Sequence, residues 1–176
     1  MRTLVLGGIR SGKSQWAEAV IAAAARHSPV RYVATGASPG ADAEWDRRVA
    51  AHRGRRPERW LTTETTDVPA ALRADPATAT LVDDIGGWLT AEMDRCDAWN
   101  AGTVTQRIDA LVAAVAAFTA PLALVSPEVG LTVVPATDAG RRFADALGAL
   151  NQRLAARCER VVLIVAGQPI TVKEPS

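Results

Sequence analysis

The chain has 176 residues, with 20 Lys and Arg side chains against 19 Asp and Glu, and a formal net charge of +1. This length is enough for a domain with a core of its own, and we expect a single domain over residues 1–176. A net charge near zero argues against the broad basic face of a nucleic-acid-binding protein, so nucleic acid is not an expected partner and any phosphate must be bound locally.

No apolar run reaches the roughly 20 residues of a membrane span, and the first residues enter a strand without the pattern of a signal peptide. We therefore expect no membrane span and a cytoplasmic location. The two cysteines, Cys96 and Cys158, are far apart and form no C-x-x-C pair. They are predicted to be reduced thiols rather than metal ligands.

Short apolar runs alternate with helix-period segments along the chain. The predicted strands cover residues 3–6, 30–34, 60–63, 80–83, 122–126 and 161–166, with a last one at 170–172. The predicted helices cover residues 13–26, 42–53, 68–74, 87–94, 104–118 and 139–157. This alternation predicts an α/β fold of three layers, α/β/α, with a mainly parallel sheet. A turn sequence at 167–169 predicts that the last strand is an antiparallel edge strand.

A glycine-rich loop joins the first strand to an Ala-rich helix. Its residues are Gly7, Gly8, Ile9, Arg10, Ser11, Gly12, Lys13 and Ser14. The glycines allow main-chain N–H groups to turn inward around a phosphate at the positive end of the helix. In this phosphate loop, or P-loop, Lys13 is expected to reach the β- and γ-phosphates and Ser14 to coordinate Mg²⁺. The pattern predicts a RecA-like P-loop NTPase fold, and a glycine-rich turn with a solvent-exposed lysine is the alternative.

Two aspartates, Asp83 and Asp84, stand at the end of the strand predicted over residues 80–83. A second carboxylate at the end of a neighbouring strand is expected to complete the metal shell, and both residues are placed for it. The alternative is that the pair caps the following helix. The residues alone leave both interpretations open.

Five arginines surround His52 in the segment 46–57. Such a density of positive charge requires solvent or an anion, and a polyphosphate is an anion of this kind. Neighbouring positive charges favour the neutral imidazole, which keeps a lone pair for attack on phosphorus. The helix end that Gly54 predicts would favour the protonated ring instead. From the residues alone, a structural histidine at a helix end and a catalytic one both remain open.

Further motifs extend over nearly the whole chain and can be compared with known families. They are Tyr32-Val33-Ala34-Thr35, Arg48-Val49 with His52, Arg56-Pro57, Trp60, Glu64, Leu81-Val82-Asp83, Ser126-Pro127-Glu128-Val129-Gly130, Val134-Pro135, Arg141, Phe143, Asp145, Gly148 and Asn151-Gln152-Arg153. The H-x-x-x-R-P, E-V-G and N-Q-R segments, in this order, are the most specific. Together with the P-loop, these motifs resemble the bifunctional adenosylcobinamide kinase / adenosylcobinamide-phosphate guanylyltransferase family of cobalamin biosynthesis.

The resemblance implies two reactions. ATP or GTP phosphorylates the aminopropanol hydroxyl of adenosylcobinamide, and GTP then donates GMP to that phosphate, which releases pyrophosphate and gives adenosyl-GDP-cobinamide. His52 matches the histidine that family members guanylylate, and Mg²⁺ would be shared by Ser14 and Asp83. A homotrimer is implied as well, with the corrinoid bound between subunits. Besides the P-loop, the implied nucleotide-binding residues are Ala34, Thr35, Gly36, Arg53, Gly54, Arg55, Arg56, Glu64 and Asp83.

The chain departs from the family pattern at three positions. Pro127 stands where Asn is common, Asp84 where Cys often follows the metal carboxylate, and Ala91 where Asn follows Thr or Ser. The departures leave the corrinoid contacts open, and also which of Asp83 and Asp84 faces the nucleotide.

Two other functions are compatible with a P-loop alone: a small-molecule kinase without the histidine intermediate, and a nucleotide-gated binding module.

Overall fold

The computed structural model describes residues 1–26, 28–36, 57 and 59–175. Its strands are β1 (Arg2–Gly7), β2 (Arg31–Ala34), β3 (Leu61–Glu64), β4 (Thr80–Asp83), β5 (Leu122–Pro127), β6 (Arg160–Val165) and β7 (Gln168–Lys173). Its helices are α1 (Lys13–Ala25), α2 (Val68–Ala74), α3 (Ile85–Arg95), α4 (Thr105–Ala117) and α5 (Asp138–Arg157). The helix predicted over residues 42–53 lies outside the described residues.

The described strands form one sheet in the order β3-β2-β4-β5-β1-β6-β7. Neighbouring strands are parallel except for β6 and β7, which are antiparallel. The mainly parallel sheet with an antiparallel C-terminal edge strand is therefore confirmed. Every predicted strand or helix that falls on described residues is found, with its ends within two residues of the prediction.

Helices cover both faces of the sheet, as the three-layer prediction requires. Successive side chains of a strand point to opposite faces, and the neighbours Leu4 and Val5 of β1 are both fully buried in two separate core clusters. On one face, α1 packs with Ala17 and Ile21. The other face carries residues of α2 to α5, including the fully buried Trp88. Burial on both faces explains why the central strands are near-continuous apolar runs.

A buried carboxylate links three of the helices on that second face. Glu92 of α3 has no exposed surface and accepts hydrogen bonds from Nε (2.7 Å) and Nη2 (3.2 Å) of Arg107 in α4. The same Nη2 lies 3.4 Å from Asp67, whose side chain caps α2. The bond to Glu92 is the main cause of a raised pKa at Arg107. A buried charge needs this kind of pairing, because an unpaired carboxylate in the core is costly.

The described helices and the two cysteines can be compared with the predictions of no membrane span and of reduced thiols. Among the described helices, none combines the length and the apolar character that a membrane crossing requires. Cys96 is half-buried and Cys158 buried, and both are free thiols. Burial raises the pKa of Cys158 to about 12, so its thiol stays protonated at neutral pH.

Candidate functional site

The predicted site residues within the described part of the chain gather at one edge of the sheet. Ala34 at the end of β2 is in register with Glu64 at the end of β3 and with Asp83 at the end of β4. Gly7 ends β1 and is in register with Pro127 of β5. The carboxyl ends of parallel strands form the edge where α/β folds bind ligands. Residues far apart in the sequence therefore share the edge that carries the P-loop, with Glu64 farthest from it because β2, β4 and β5 lie between β3 and β1.

The P-loop leaves the first turn of α1 open to a ligand. Gly12 has φ +94° and no side chain caps the helix, whereas α2, α3 and α5 are each capped by an Asp or Thr. The half-buried Lys13 reaches back across the loop, where Nζ donates to the carbonyl of Gly8 at 3.1 Å. Uncapped N–H groups and a lysine at a helix N-terminus are the donors that hold phosphate. The loop has the geometry expected of a phosphate site.

The turn between β6 and β7 supports this loop from the other end of the chain. Gly167 N–H donates to the carbonyl of Ser11 at 2.8 Å. A Cβ added to Gly12 would lie 3.2 Å from the Cα of Gly167, so this close approach favours glycine in the loop. Ala166 and Gly167 both have positive φ, as in the tight turns that suit antiparallel hairpins. The turn predicted at 167–169 lies at 166–167 instead, because Gln168 and Pro169 already pair with β6 as the start of β7. Its contact with the P-loop is not evident from the sequence.

Asp83 and Ser14 lie next to each other, as the predicted metal site requires. Ser14 Oγ donates to Oδ1 of Asp83 at 3.3 Å, and the hydroxyl of Tyr32 donates to Oδ2 at 2.6 Å. A hydroxyl and a carboxylate oxygen are ligands that Mg²⁺ accepts while it keeps waters and substrate phosphates. The described residues contain no group of three or more His, Cys, Asp or Glu that could hold a metal alone. The donor set therefore fits a cation that binds together with a nucleotide.

Asp84 has a different position from Asp83. It is the N-cap of α3, and its Oδ1 accepts a hydrogen bond from the N–H of Gly87 at 2.6 Å. Burial raises the pKa of Asp84, and the charge of Asp83 raises it further, although the Gly87 donor opposes both. The peptide bond between the two aspartates is cis. Each of the two interpretations from the sequence thus fits one aspartate: Asp84 caps the helix, and Asp83 faces Ser14.

The segment at the end of β5 connects the P-loop to α5. Asn151 of α5 accepts a buried hydrogen bond from Ser126 (2.6 Å) and donates to the carbonyl of Pro127 (3.0 Å). The N–H of Glu128 donates to the carbonyl of Gly7 at 3.1 Å. The first residue of the N-Q-R motif therefore contacts the two residues that precede the E-V-G motif. Proline is compatible with position 127 because these hydrogen bonds use only its carbonyl oxygen and require no N–H donor from it.

The remaining predicted residues fall into two groups. Thr35 is buried beside Asp84, Gly36 follows it on the surface, and Glu64 is exposed at the end of β3. Residues 46–56 of the arginine-rich segment lie outside the described residues, and the roles of its members stay predictions: His52, Arg53, Gly54, Arg55 and Arg56.

Tyr32 is absent from the site residues that the sequence predicts. Its ring is 2% exposed, yet its hydroxyl bonds to Asp83. A signal was present, because a tyrosine within a buried strand needs a partner for its hydroxyl group. Identifying that partner requires the pairing of β2 with β4, which the sequence pattern does not specify.

Two solved structures resemble the fold at low sequence identity. A RadB recombinase matches with a TM-score of 0.49 and 18% identity, over 92% of this chain and 73% of that one. The P4 protein from bacteriophage phi6, in complex with ADP, matches with a TM-score of 0.45 and 16% identity, over 96% of this chain and 52% of that one. Likenesses at this level add nothing to the assignment of function.

The comparison with sequence families is more specific. Residues 3–172 match the family described as cobinamide kinase / cobinamide phosphate guanyltransferase. The bifunctional adenosylcobalamin biosynthesis protein CobP of Pseudomonas aeruginosa is 42% identical over 180 residues, which cover 98% of each chain. The proteins named CobU from Salmonella typhimurium and Escherichia coli are each 36% identical over 187 residues, covering 98% of this chain and 100% of theirs. The chain therefore belongs to the cobinamide kinase / cobinamide phosphate guanyltransferase family.

Proposed function

We propose that this transferase phosphorylates adenosylcobinamide with ATP or GTP and then transfers GMP from GTP to the product through a guanylylated His52. Adenosyl-GDP-cobinamide and pyrophosphate are the final products. The observation that carries the proposal is the open first turn of α1 beside the Ser14–Asp83 pair, within a chain of this family. These groups can hold the triphosphate that both reactions consume.

In the kinase step, the acceptor hydroxyl attacks the γ-phosphorus, the bond to the β–γ bridging oxygen breaks, and the hydroxyl proton is released. Such transfers depend mainly on positioning and on neutralising charge. The N–H groups of the P-loop and the ammonium of Lys13 supply both. Ser14 and Asp83 are the residues that would hold Mg²⁺, which neutralises phosphate charge when it is bound.

In the guanylyl step, a ring nitrogen of His52 attacks the α-phosphorus of GTP and pyrophosphate leaves. An oxygen of the adenosylcobinamide phosphate then attacks the same phosphorus, and the histidine nitrogen is the leaving group. A covalent intermediate divides one difficult transfer between two anions into two displacements. Arg53, Arg55 and Arg56 offset the charge of the departing pyrophosphate.

The proposal is tested by incubating the protein with GTP labelled at the α-phosphate. Label is expected to stay on the denatured chain, and it should be lost in acid and kept in alkali, as for a phosphoramidate. GTP labelled at the γ-phosphate serves as the control and should leave no label. Absence of α-label on the protein would contradict the guanylylated histidine and favour a kinase without it.

Lys13→Ala is expected to lower the rate of phosphoryl transfer by roughly 100-fold or more, because it removes a charge aimed at the transferred group. The free energy of unfolding without nucleotide should change by under about 0.5 kcal/mol, since the hydrogen bond that the side chain makes to Gly8 is exposed to solvent. Rate assays and urea titrations measure the two effects.

The matched control for Lys13→Ala is the other lysine of the chain. Lys173 Nζ donates to the carbonyls of Ala155 and Cys158 at the end of α5, away from the P-loop. Lys173→Ala should therefore lower stability by about 1 kcal/mol and leave the rate unchanged. Unfolding of Lys13→Ala, or equal rates in the two variants, would count against a phosphate-binding role for Lys13.

We further propose a homotrimer in the cytoplasm, with the corrinoid at the contact between subunits. Support comes from the exposed apolar side chains that follow β5: Leu131 (77% exposed), Val133 (87%) and Val134 (74%). Adjacent exposed apolar residues are typical of interaction surfaces. Sedimentation should give three times the chain mass, and a monomer that is active on both substrates would contradict the trimer.

A further inference from the structure

Strand β2 holds the carboxylate of Asp83 from the side opposite the P-loop. The hydroxyl of Tyr32 donates to Oδ2 at 2.6 Å, while Oδ1 accepts a hydrogen bond from the hydroxyl of Ser14 at 3.3 Å. The two oxygens therefore have different partners. A hydrogen bond to one oxygen restricts rotation of the carboxylate, so the other keeps a fixed direction.

Thr35 of the same segment holds the main chain on which Asp83 stands. Its N–H donates to the carbonyl of Asp83 at 3.2 Å. Its hydroxyl donates to the carbonyl of Asp84 at 2.5 Å and accepts from the N–H of Asp84 at 2.9 Å. Thr35 is 3% exposed. With its hydroxyl used in both directions and its surface buried, the side chain is directed toward β4 rather than toward a nucleotide.

We propose that Tyr32 and Thr35 are positioning residues that aim Oδ1 of Asp83 at the cation bound with the nucleotide. Tyr32 fixes the carboxylate, and Thr35 fixes the peptide groups on both sides of it. The inference rests on the proposed role of Asp83 as a Mg²⁺ ligand. Residues that orient a metal ligand commonly affect metal affinity by about 10- to 100-fold when they are replaced.

The test uses two substitutions that remove a hydroxyl and little else, Tyr32→Phe and Thr35→Val. We expect each to raise the Mg²⁺ concentration needed for half-maximal tightening of GTP binding by about 10-fold or more. The affinity of Tyr32→Phe for GTP in EDTA should stay at the wild-type value, because the P-loop is unchanged. Thr35→Ser keeps the hydroxyl and should restore near-wild-type Mg²⁺ dependence.

Thr80→Val provides a matched control for the loss of a buried hydroxyl. Thr80 has no exposed surface and stands at the opposite end of β4, where its hydroxyl donates to the carbonyl of Thr78 at 2.8 Å. Its replacement should lower the melting temperature without changing the Mg²⁺ dependence. If Tyr32→Phe and Thr35→Val shift the Mg²⁺ dependence no more than Thr80→Val, their role is structural and the inference is overturned.

Asp83→Asn separates this inference from the proposed function. A large rise in the Mg²⁺ requirement of Asp83→Asn, with none for the two hydroxyl variants, overturns only the positioning role. An unchanged requirement in Asp83→Asn shows that Asp83 is not a ligand, and the proposed metal site then fails together with the inference. Should Thr35→Val fail to fold, Tyr32→Phe decides, since phenylalanine preserves the buried ring.

Discussion

Replacement of His52 by Ala is expected to abolish covalent attachment of GMP and guanylyl transfer, while the same protein continues to phosphorylate adenosylcobinamide. The two reactions differ in what they require. The kinase step is a direct transfer that depends on the P-loop, whereas the guanylyl step needs a nucleophile for the α-phosphorus. Loss of a covalent nucleophile costs on the order of 10⁴-fold or more in rate. The second reaction should therefore fall below detection.

Both activities should be measured on one preparation, with γ-labelled GTP for the kinase step and α-labelled GTP for the guanylyl step. His27→Ala is the matched control, because His27 is the other histidine of the chain. It should keep both activities and the covalent label. Uptake of α-label by His52→Ala at the wild-type level would assign the nucleophile to another residue. Loss of both activities would show that the kinase step also depends on His52.

Glu92→Ala is expected to lower the free energy of unfolding by about 3–5 kcal/mol. The substitution removes the fully buried carboxylate that pairs with Arg107. Among the described residues, that partly buried guanidinium then keeps only the 3.4 Å contact to the carboxylate of Asp67. The loss is a large fraction of the roughly 5–15 kcal/mol that stabilises a typical domain. Glu92→Gln keeps the shape and one acceptor, so its cost should be smaller, about 1–3 kcal/mol.

Urea denaturation followed by Trp fluorescence and by circular dichroism measures these losses. Arg153→Ala is the control, since Arg153 pairs with Asp109 at 2.6 Å on the surface, with both side chains more than 40% exposed. An exposed pair contributes only about 0–1 kcal/mol. Equal losses for Glu92→Ala and Arg153→Ala would mean that the buried network adds nothing beyond a surface ion pair.

The elements of this fold follow from the sequence because each central strand is a short apolar run between loops. For Asp83, the sequence predicts the position in the site but not the direction of the side chain. Its place at a strand end is enough to predict that it meets the P-loop, since the carboxyl ends of parallel strands share one edge. Whether Asp83 or Asp84 faces the loop depends on side-chain direction at the strand end, which the pattern of residues leaves open.

Contacts between strands that are distant in the sequence could not be predicted. The bond of Tyr32 to Asp83 depends on which strand lies beside β2, and that of Gly167 to Ser11 depends on the position of the last hairpin. The periodicity of apolar residues specifies neither the strand beside β2 nor the position of that hairpin. For His52, the neighbouring arginines favour the neutral imidazole, whereas the predicted helix end favours the protonated one. Only the family resemblance therefore distinguishes a catalytic nucleophile from a structural histidine at a helix end.

The support that Gly167 gives to Ser11 has a consequence for the order of events during synthesis. The P-loop is made before β6 and the turn that holds it, with strands β2 to β5 and helices α2 to α5 between them in the chain. A nascent chain therefore carries the phosphate loop without this hydrogen bond until β6 and β7 have been made and paired. Tight nucleotide binding, and the stabilisation that a bound nucleotide gives, should begin only after that hairpin has formed.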